Sequence, residues 1–238
     1  MNMDIESQRE FYNTHWANSQ YQNGLKLARA VKILEGISKT KMNHPKIVDL
    51  GCGAGWLSGI LGHFGPTVGI ELSNTAIASA KIKYPYVKFE SSDVFDWKFP
   101  AGETDIVVSQ EVIEHVKDQA EYLNIASKIL TKGGYLILTT PNADTLNHMP
   151  AEVVKKWTNQ PIEDWLTMLD LKKLLNHQFE VIELSSFIMG YGKTGTYCMA
   201  GIKTFHRFFR LIGLGESYKR FLAKKGFGLH LYVLARKK

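Results

Sequence analysis

A short apolar segment that runs directly into alternating glycines is the feature that most constrains how this chain can fold. Residues 46–50 read KIVDL, which is typical of a buried strand, and residues 51–55 read GCGAG. A helix-like stretch follows from Trp56. Glycines let the backbone turn tightly and let a ligand approach the main chain closely. The segment therefore predicts the strand, turn and helix that open a ligand-binding α/β fold.

The residues around this turn argue against a phosphate ligand. A P-loop needs a lysine at the end of its turn, and residues 49–56 contain none. A dinucleotide site needs its third glycine where this chain has Trp56. Asp49, two residues before the first glycine, would repel a phosphate and attract a cationic amine. The turn therefore predicts a ligand that carries positive charge.

Two more acids follow the next two predicted strands. Glu71 ends the second strand, where a carboxylate can accept both hydroxyls of an adenosine ribose. Asp93 ends the third, where it or its neighbouring backbone can accept an adenine amino group. Each acid alone also fits a turn at a strand end. Three acids at successive carboxyl ends favour a ligand cleft, because open α/β sheets bind ligands at that edge.

Apolar runs alternate with helix-like stretches from residue 46 onward, which indicates βαβ units and a parallel sheet. Ser73 or Asn74, and Thr167, are suitable N-caps, and Gly133-Gly134 is expected to separate a helix from a central strand. The predicted strands span about 46–51, 67–71, 87–91, 105–110, 134–140, 178–187 and 228–236. The predicted helices span about 24–40, 55–63, 74–84, 118–130, 167–176, 202–212 and 216–225, and residues 5–21 read as a helix or lid.

With these motifs in view, residues 46–142 resemble the class I S-adenosylmethionine-dependent methyltransferases. The resemblance is carried by VDLGCGAGW, GIEL, SSDVFDW, VVSQEVIEHV and GGYLILTTPN. It implies a Rossmann-like, seven-stranded, mostly parallel doubly wound sheet with an antiparallel last strand. We expect one domain over 1–238, with a lid segment at 1–23, a cofactor-binding core at 24–142 and an acceptor-side region at 143–238.

The resemblance implies S-adenosyl-L-methionine as the cofactor, and the acid-lined cleft suits its sulfonium and amino group. Trp16 or Tyr12 could add a cation–π face from the lid, or could simply pack there. The residues expected to bind the cofactor are Asp49, Gly51, Cys52, Gly53, Glu71, Leu72, Asp93, Val94, Gln110 and Trp16.

The segment after the fourth strand bears on the methyl acceptor. It reads Ser109-Gln110-Glu111, not the Asn/Asp-Pro-Pro-aromatic tetrad with which similar enzymes methylate planar amines. Gln110 to Val116 resembles the ubiquinone-biosynthesis O-methyltransferases, which favours a hydroxyl acceptor. Glu111, Glu114 and His115 would share one face of a helical turn. They could bind a divalent metal, set His115 as a base, or only stabilise the turn; we predict His115 as catalytic and assign no metal.

The net charge of +6 is concentrated at one end of the chain. Residues 193–238 hold 11 Lys or Arg and one acid, Glu216. Within them, residues 202–225 place phenylalanines at helical spacing opposite basic residues. This basic segment could touch a membrane, which suits a lipid-linked acceptor, or could be a solvated helical face. Acceptor-side walls are also expected from the loop at 159–166 and from Tyr191 and Tyr197.

The predicted function is O-methylation of a small or lipid-linked hydroxyl acceptor, such as a quinone-like molecule, a glycan or a natural product. The alternatives are an RNA methyltransferase that grips phosphate with the basic segment, and a nucleotide-binding protein or oxidoreductase without methyl transfer. No RNA-binding module is recognisable, so a nucleic-acid partner is not favoured. Two cysteines, and the lack of a signal peptide or apolar span, predict a cytoplasmic protein that could be peripheral to a membrane.

Overall fold

The computed structural model describes residues 4–18, 24–155, 160–189 and 202–238. These residues build a seven-stranded sheet in the order β3-β2-β1-β4-β5-β7-β6. β7 pairs antiparallel with both β5 and β6, and the pairings among β1 to β5 are parallel. The strands are β1 (Ile47–Leu50), β2 (Thr67–Glu71), β3 (Lys88–Ser91), β4 (Thr104–Gln110), β5 (Leu130–Pro141), β6 (Phe179–Met189) and β7 (Gly228–Lys237).

Helices cover both faces of the sheet and its ligand-binding edge. Ser73 caps α4, Asp118 caps α5 and Thr167 caps α8, each accepting a hydrogen bond from the backbone N–H three residues on. The helices are α1 (Ile5–Asn18), α2 (Gly24–Thr40), α3 (Trp56–Leu61), α4 (Asn74–Lys83), α5 (Gln119–Ile129), α6 (Ala143–Leu146), α7 (Ala151–Val154), α8 (Met168–Leu175), α9 (Lys203–Leu211) and α10 (Gly215–Lys224).

Alternation along the strands divides the core into two apolar layers. Val48 and Leu50 of β1 face the layer formed with α5 and α8, which includes Tyr122 and Leu171. Ile47 faces the opposite layer, formed with α2 and α3. Successive strand side chains point to opposite faces, so one strand supplies both layers. Because helices cover both faces, ligands can reach this sheet at its edges, which is where the site lies.

The predicted architecture is confirmed: the chain forms a seven-stranded, mostly parallel α/β sheet whose last strand is antiparallel. The predicted caps Ser73 and Thr167 are also confirmed. The separation by Gly133-Gly134 is wrong in detail, because α5 ends at Ile129 and β5 begins at Leu130. Gly133 instead adopts a positive φ of 78° inside the strand, where the β4–β5 register shifts.

Two segments sit at the carboxyl edge of the parallel strands. α1 packs against α4 beside the end of β2. The two helices α9 and α10 form a hairpin that leads into β7 at this same edge, since Pro141 at the end of β5 pairs with His230 near the start of β7. In the part of the chain that the structure describes, every helix is too short or too polar to cross a bilayer.

Candidate active site

The glycine turn lies next to helix α1. Gly51 and Gly53 have φ values of 73° and 53°, a conformation that side chains rarely adopt. A Cβ on Gly53 would lie 2.4 Å from the Trp16 ring, and one on Gly51 would lie 2.3 Å from Val112. The indole of Trp16 therefore sits against bare backbone, and this cradle exists only because neither glycine carries a side chain.

Glu71 connects the turn to the loop that follows β2. One carboxylate oxygen accepts a hydrogen bond from the Gly53 N–H and the other from the Ser73 N–H, both at 3.0 Å. Burial raises the pKa of Glu71, and these backbone donors act in the opposite direction. Each oxygen retains a lone pair, so the carboxylate can brace the turn and still accept a ligand hydroxyl.

The second acid at this edge is less buried than Glu71. Asp93 lies in the cavity wall, where its Oδ1 accepts a hydrogen bond from the Phe95 N–H at 3.1 Å. The same side chain therefore shapes the turn after β3, as strand-end aspartates commonly do. Its other carboxylate oxygen is available to a ligand.

Asp49 does not lie where its sequence position predicted. Its side chain is buried behind the turn, and its Oδ2 accepts a hydrogen bond from the Ser58 hydroxyl at 2.6 Å. Burial raises the pKa of Asp49 to about 7. The expected row of three carboxylates is thus reduced to Glu71 and Asp93 at the wall. The expectation that Asp49 lines the ligand cleft is therefore wrong.

A cavity of about 530 Å³ opens between the turn, the strand ends and α1. This size and its mixture of apolar walls with a few polar groups are typical of cofactor sites. Nine of the ten residues predicted to bind the cofactor line it, and Asp49 is the exception. The nine are Trp16, Gly51, Cys52, Gly53, Glu71, Leu72, Asp93, Val94 and Gln110.

Two groups in this wall illustrate its chemistry. The Gln110 Nε2 atom is buried and has no hydrogen-bond partner, so it is a donor that a ligand would satisfy. Burial raises the pKa of the Cys52 thiol, which therefore stays protonated and contributes as a small polarisable wall group. The cavity thus offers carboxylate acceptors and one amide donor, a set that suits the hydroxyls and amines of an adenosine-type cofactor.

Helix α1 forms one wall of this cavity. Arg9 Nη1 donates to the Leu72 carbonyl at 2.8 Å, and the Asn13 side chain accepts from the Ser73 hydroxyl at 2.7 Å. Tyr12 donates from its hydroxyl to Gln160 Oε1 at 2.9 Å. Lys26 of α2 places its ammonium 5.5 Å from the centre of the Trp16 ring, a cation–π contact. α1 is therefore tied to both the cofactor side and the acceptor side.

The segment after β4 is strained at Glu111, which has a φ of 57°. Its Oε2 lies 3.4 Å from Arg29 Nη1 and 2.9 Å from His230 Nδ1. Burial by itself would raise the pKa of Glu111, but the electrostatic interactions with His230 and Arg29 hold it below its usual range. Non-glycine residues with this backbone conformation are uncommon and often mark functional sites.

Glu114 and His115 occupy the 3₁₀ turn at Ile113–His115. The Thr140 hydroxyl donates to Glu114 Oε2 at 2.9 Å, and burial, with the nearby Glu111 charge, raises the pKa of Glu114. His115 Nδ1 lies 2.8 Å from the Ile162 carbonyl, so this nitrogen donates and Nε2 keeps its lone pair. Burial lowers the pKa of His115, which favours the neutral form. These features suit a general base.

Contrary to the prediction, Glu111, Glu114 and His115 do not share one face of a helical turn. The left-handed conformation at Glu111 places that residue before the 3₁₀ turn, and its carboxylate pairs with Arg29 and His230. Glu114 bonds Thr140, and His115 bonds Ile162. Among the residues that the structure describes, no group of three or more His, Cys, Asp or Glu side chains is arranged to hold a metal ion.

A second cavity of about 270 Å³ lies beside the first. Arg29, Glu111, His115 and Gln160 line both, so the two spaces meet at these residues. Trp165, Pro141, Leu146 and Leu229 give the second cavity apolar walls. Trp165 and Gln160 belong to the loop predicted as an acceptor wall, whereas Asn159, Tyr191 and Tyr197 lie outside the described residues.

Two residues of this site, Arg29 and His230, were missed by the sequence reasoning. Arg29 lies on α2, one residue before the buried Ala30, and His230 interrupts the apolar run of β7. A lone histidine in an otherwise apolar buried strand was the available signal for His230. Arg29 gave no comparable signal, because α2 also carries Lys26 and Lys32 on its sequence.

Comparison with known proteins agrees with this geometry. Residues 16–184 match the family described as "Methyltransferase domain". The ubiquinone biosynthesis O-methyltransferase of Caulobacter sp. strain K31 is 30% identical over 147 residues, which cover 57% of this chain and 58% of that protein. This chain therefore matches little more than half the length of that relative.

Two solved structures share the fold at low sequence identity. The N-methyltransferase NodS of Bradyrhizobium japonicum, in complex with S-adenosyl-L-homocysteine, superposes with a TM-score of 0.64 at 13% identity, covering 97% of this chain and 98% of NodS. The geranyl diphosphate C-methyltransferase of Streptomyces coelicolor A3(2) gives 0.67 at 12% identity, with the same two coverages. These names span oxygen, nitrogen and carbon methylation, so the fold does not identify the acceptor.

The family match covers most of the chain, and the sheet order and the glycine cradle at the strand edge are in accord with it. The chain belongs to the class I S-adenosylmethionine-dependent methyltransferases, and its cofactor is S-adenosylmethionine.

Proposed function

We propose that the protein methylates a hydroxyl group of a small or lipid-linked acceptor, with His115 as the general base. The observation that carries this proposal is the position of His115 in the wall of both cavities, with Nδ1 held by the Ile162 carbonyl. The larger cavity suits the cofactor and the smaller one the acceptor. A hydroxyl needs to lose a proton on methylation, and a fixed neutral imidazole can take it.

When bound, S-adenosylmethionine supplies an electrophilic methyl group. Glu71, Asp93, Gln110 and the cradle at Gly51 and Gly53 would hold it. The protein's own contribution to the reaction is to position the acceptor and to remove its proton. His115 Nε2 lies 3.6 Å from Glu114 Oε1, a buried carboxyl oxygen with no hydrogen-bond partner.

The walls of the smaller cavity suit a partly apolar acceptor. Trp165 and Leu146 provide apolar surface, and Arg29 contributes a permanent positive charge to this wall. The O-methyltransferase name of the Caulobacter relative supports an oxygen acceptor, at 30% identity. The absence of the Asn/Asp-Pro-Pro-aromatic tetrad after β4 also argues against a planar amine.

Methyl transfer from radiolabelled cofactor tests this assignment. The full chain is incubated with a panel of catechols, phenols and isoprenoid-tailed hydroxyquinols, and with a matched panel of aromatic amines. We expect product from at least one hydroxyl compound and a loss of about 100-fold or more in kcat for His115→Gln, as for removal of a general base. His63→Gln is the control, because His63 is exposed and lies outside both cavity walls.

The outcomes separate the parts of the proposal. Turnover of amines alone would overturn the hydroxyl assignment. Unchanged turnover of a hydroxyl compound by His115→Gln would overturn the role of His115. Calorimetry with S-adenosylhomocysteine and with NAD tests which cofactor the protein binds. Binding of NAD without binding of S-adenosylhomocysteine would overturn methyl transfer itself.

A further inference from the structure

The helical hairpin α9–α10 presents an unusual amount of apolar surface to solvent. Phe205, Phe208, Leu211, Ile212 and Phe221 are 42%, 54%, 85%, 49% and 54% exposed. Large apolar side chains clustered within some twenty residues of one surface are uncommon on a monomer and mark a contact site. Packing within the described residues does not explain why this apolar patch is exposed.

The hairpin is a folded unit and not a frayed segment. Phe209 stacks on Tyr218 with ring centres 4.2 Å apart, and His206 contacts the same tyrosine at 5.2 Å. Leu222 of α10 is buried, and the Ser186 hydroxyl of β6 donates to the Ala223 carbonyl at 3.0 Å. Because the aromatic pair faces inward, Phe208 and Leu211 are held on the outside by a fixed framework.

Positive charge surrounds this apolar patch. Residues 202–225 contain seven Lys or Arg and a single acid, Glu216, which pairs with Lys219 at 2.8 Å. Arg207 and Arg210 are exposed on α9 beside Phe208 and Leu211. Apolar side chains flanked by arginines and lysines match a bilayer surface that carries anionic lipid, where acyl chains meet negative headgroups.

We propose that the α9–α10 hairpin docks this protein onto membranes that contain anionic lipid. The site it would serve is adjacent, because only the few residues 225–229 separate α10 from His230 in the acceptor cavity wall. Asn142 fixes this connection by donating to the Gly226 and Gly228 carbonyls at 2.7 and 2.8 Å. A membrane-bound hairpin would hold the acceptor cavity close to the lipid surface.

The charge and the shape also distinguish the membrane from other occupants. A second copy of this chain would bring the same positive charge against itself, which is unfavourable at a two-fold contact. Nucleic acid would match the charge, but the exposed phenylalanines and Leu211 flank no recognisable RNA-binding module. Anionic lipid satisfies both the apolar and the basic part of the hairpin.

Co-sedimentation of the full chain with vesicles tests the proposal. The vesicles are pure phosphatidylcholine or phosphatidylcholine with 30% phosphatidylglycerol, an amount chosen as roughly that of a moderately anionic membrane. We expect binding to the anionic vesicles, a decrease as salt rises, and weak binding to the neutral ones. The double variant Phe208→Glu with Leu211→Glu should lose at least tenfold in apparent affinity, and Arg207→Glu with Arg210→Glu should lose a comparable amount.

The matched control is Ile82→Glu, which changes an 82% exposed apolar residue on α4, far along the chain from the hairpin. It should bind vesicles as the unchanged chain does. All variants are first compared by circular dichroism and by S-adenosylhomocysteine affinity, which show that the fold and the cofactor site persist. This control keeps the test independent of the proposed acceptor chemistry.

Three results would overturn the proposal. They are the failure of the unchanged protein to sediment with anionic vesicles, equal sedimentation of the Phe208→Glu, Leu211→Glu variant, and an equal loss in Ile82→Glu. Light scattering and RNA binding are measured in parallel. A dimer or an RNA complex that the same double variant abolishes, without any vesicle binding, would assign the hairpin to that partner instead.

Discussion

His230 Nδ1 lies 2.9 Å from Glu111 Oε2, which joins the last strand of the sheet to the strained residue after β4. Arg29 approaches the same oxygen from α2 at 3.4 Å. Three distant parts of the chain thus meet at one carboxylate in the wall shared by the two cavities. The charge on Glu111 depends on its contacts with Arg29 and His230, because burial alone would favour the neutral carboxyl group.

Removing Arg29 should therefore destabilise the fold through Glu111. We expect Arg29→Met to lower the free energy of unfolding by on the order of 3 kcal/mol, since it leaves a buried carboxylate with one partner fewer. Adding Glu111→Gln should recover much of that loss. Urea unfolding of both variants measures this, with removal of the exposed Lys219–Glu216 pair as the control, which should change stability little. Strictly additive effects of the two substitutions would contradict the coupling.

The pH dependence of methyl transfer should report His115. Burial lowers the pKa of His115, so its neutral, proton-accepting form persists below the usual range for histidine. We expect kcat/KM to be flat at neutral pH and to fall on the acid side, below about pH 6.5. His115→Gln should lack this acid limb as well as being slow. An acid limb unchanged in His115→Gln would assign it to another group.

Gly53→Ala should weaken cofactor binding by more than backbone strain explains. Gly53 and Gly102 both have positive φ, but a Cβ on Gly53 would meet the Trp16 ring, whereas a Cβ on Gly102 would meet nothing within 4 Å. Both substitutions should cost roughly 1–2 kcal/mol of stability from strain. Only Gly53→Ala should also weaken S-adenosylhomocysteine binding, by about tenfold or more, because it displaces the lid aromatic. Equal affinities of the two variants in calorimetry would contradict this account.

Asp49→Asn should stabilise the protein at alkaline pH. The pKa of Asp49 is raised from 3.8 to about 7 in the fold, so the folded chain keeps a proton that the unfolded chain releases above about pH 4. The stability associated with that proton is full below pH 4 and is lost as pH rises through 7. An asparagine can still accept from Ser58 and carries no such penalty.

Urea unfolding at pH 5 and pH 8 measures this difference. We expect the stability advantage of Asp49→Asn over the unchanged chain to increase by on the order of a few kcal/mol from pH 5 to pH 8. Asp105→Asn is a control at a more exposed carboxylate, which accepts from the Lys46 N–H. A constant difference between Asp49→Asn and the unchanged chain at both pH values would contradict the buried proton.

The sheet and the cofactor edge followed from local patterns. The glycine turn, Glu71 and Asp93 each follow or end an apolar strand, and βαβ connectivity places the carboxyl ends of these strands at one edge. Asp49 was misplaced because the alternation of a strand sends only every second side chain toward a given face. Its partner Ser58 lies on the following helix, and nothing in KIVDL marks that contact.

The acceptor side was less predictable because its contacts are distant in sequence. Arg29 and Glu111 are 82 residues apart, and His115 and Ile162 are 47 apart. The assumed helical turn at 111–115 failed at Glu111, whose left-handed backbone is set by surrounding packing and not by its own preference. Such positions are where local sequence reasoning is expected to fail in a functional site.

The tether between α1 and the loop after β2 has a consequence for the catalytic cycle. Arg9 and Asn13 bind residues that directly follow Glu71, and Trp16 roofs the cradle at Gly53. A movement of α1 away from the cavity would break these bonds and the one from Tyr12 to Gln160. Because Gln160 lines both cavities, such a movement would disturb the cofactor side and the second cavity together.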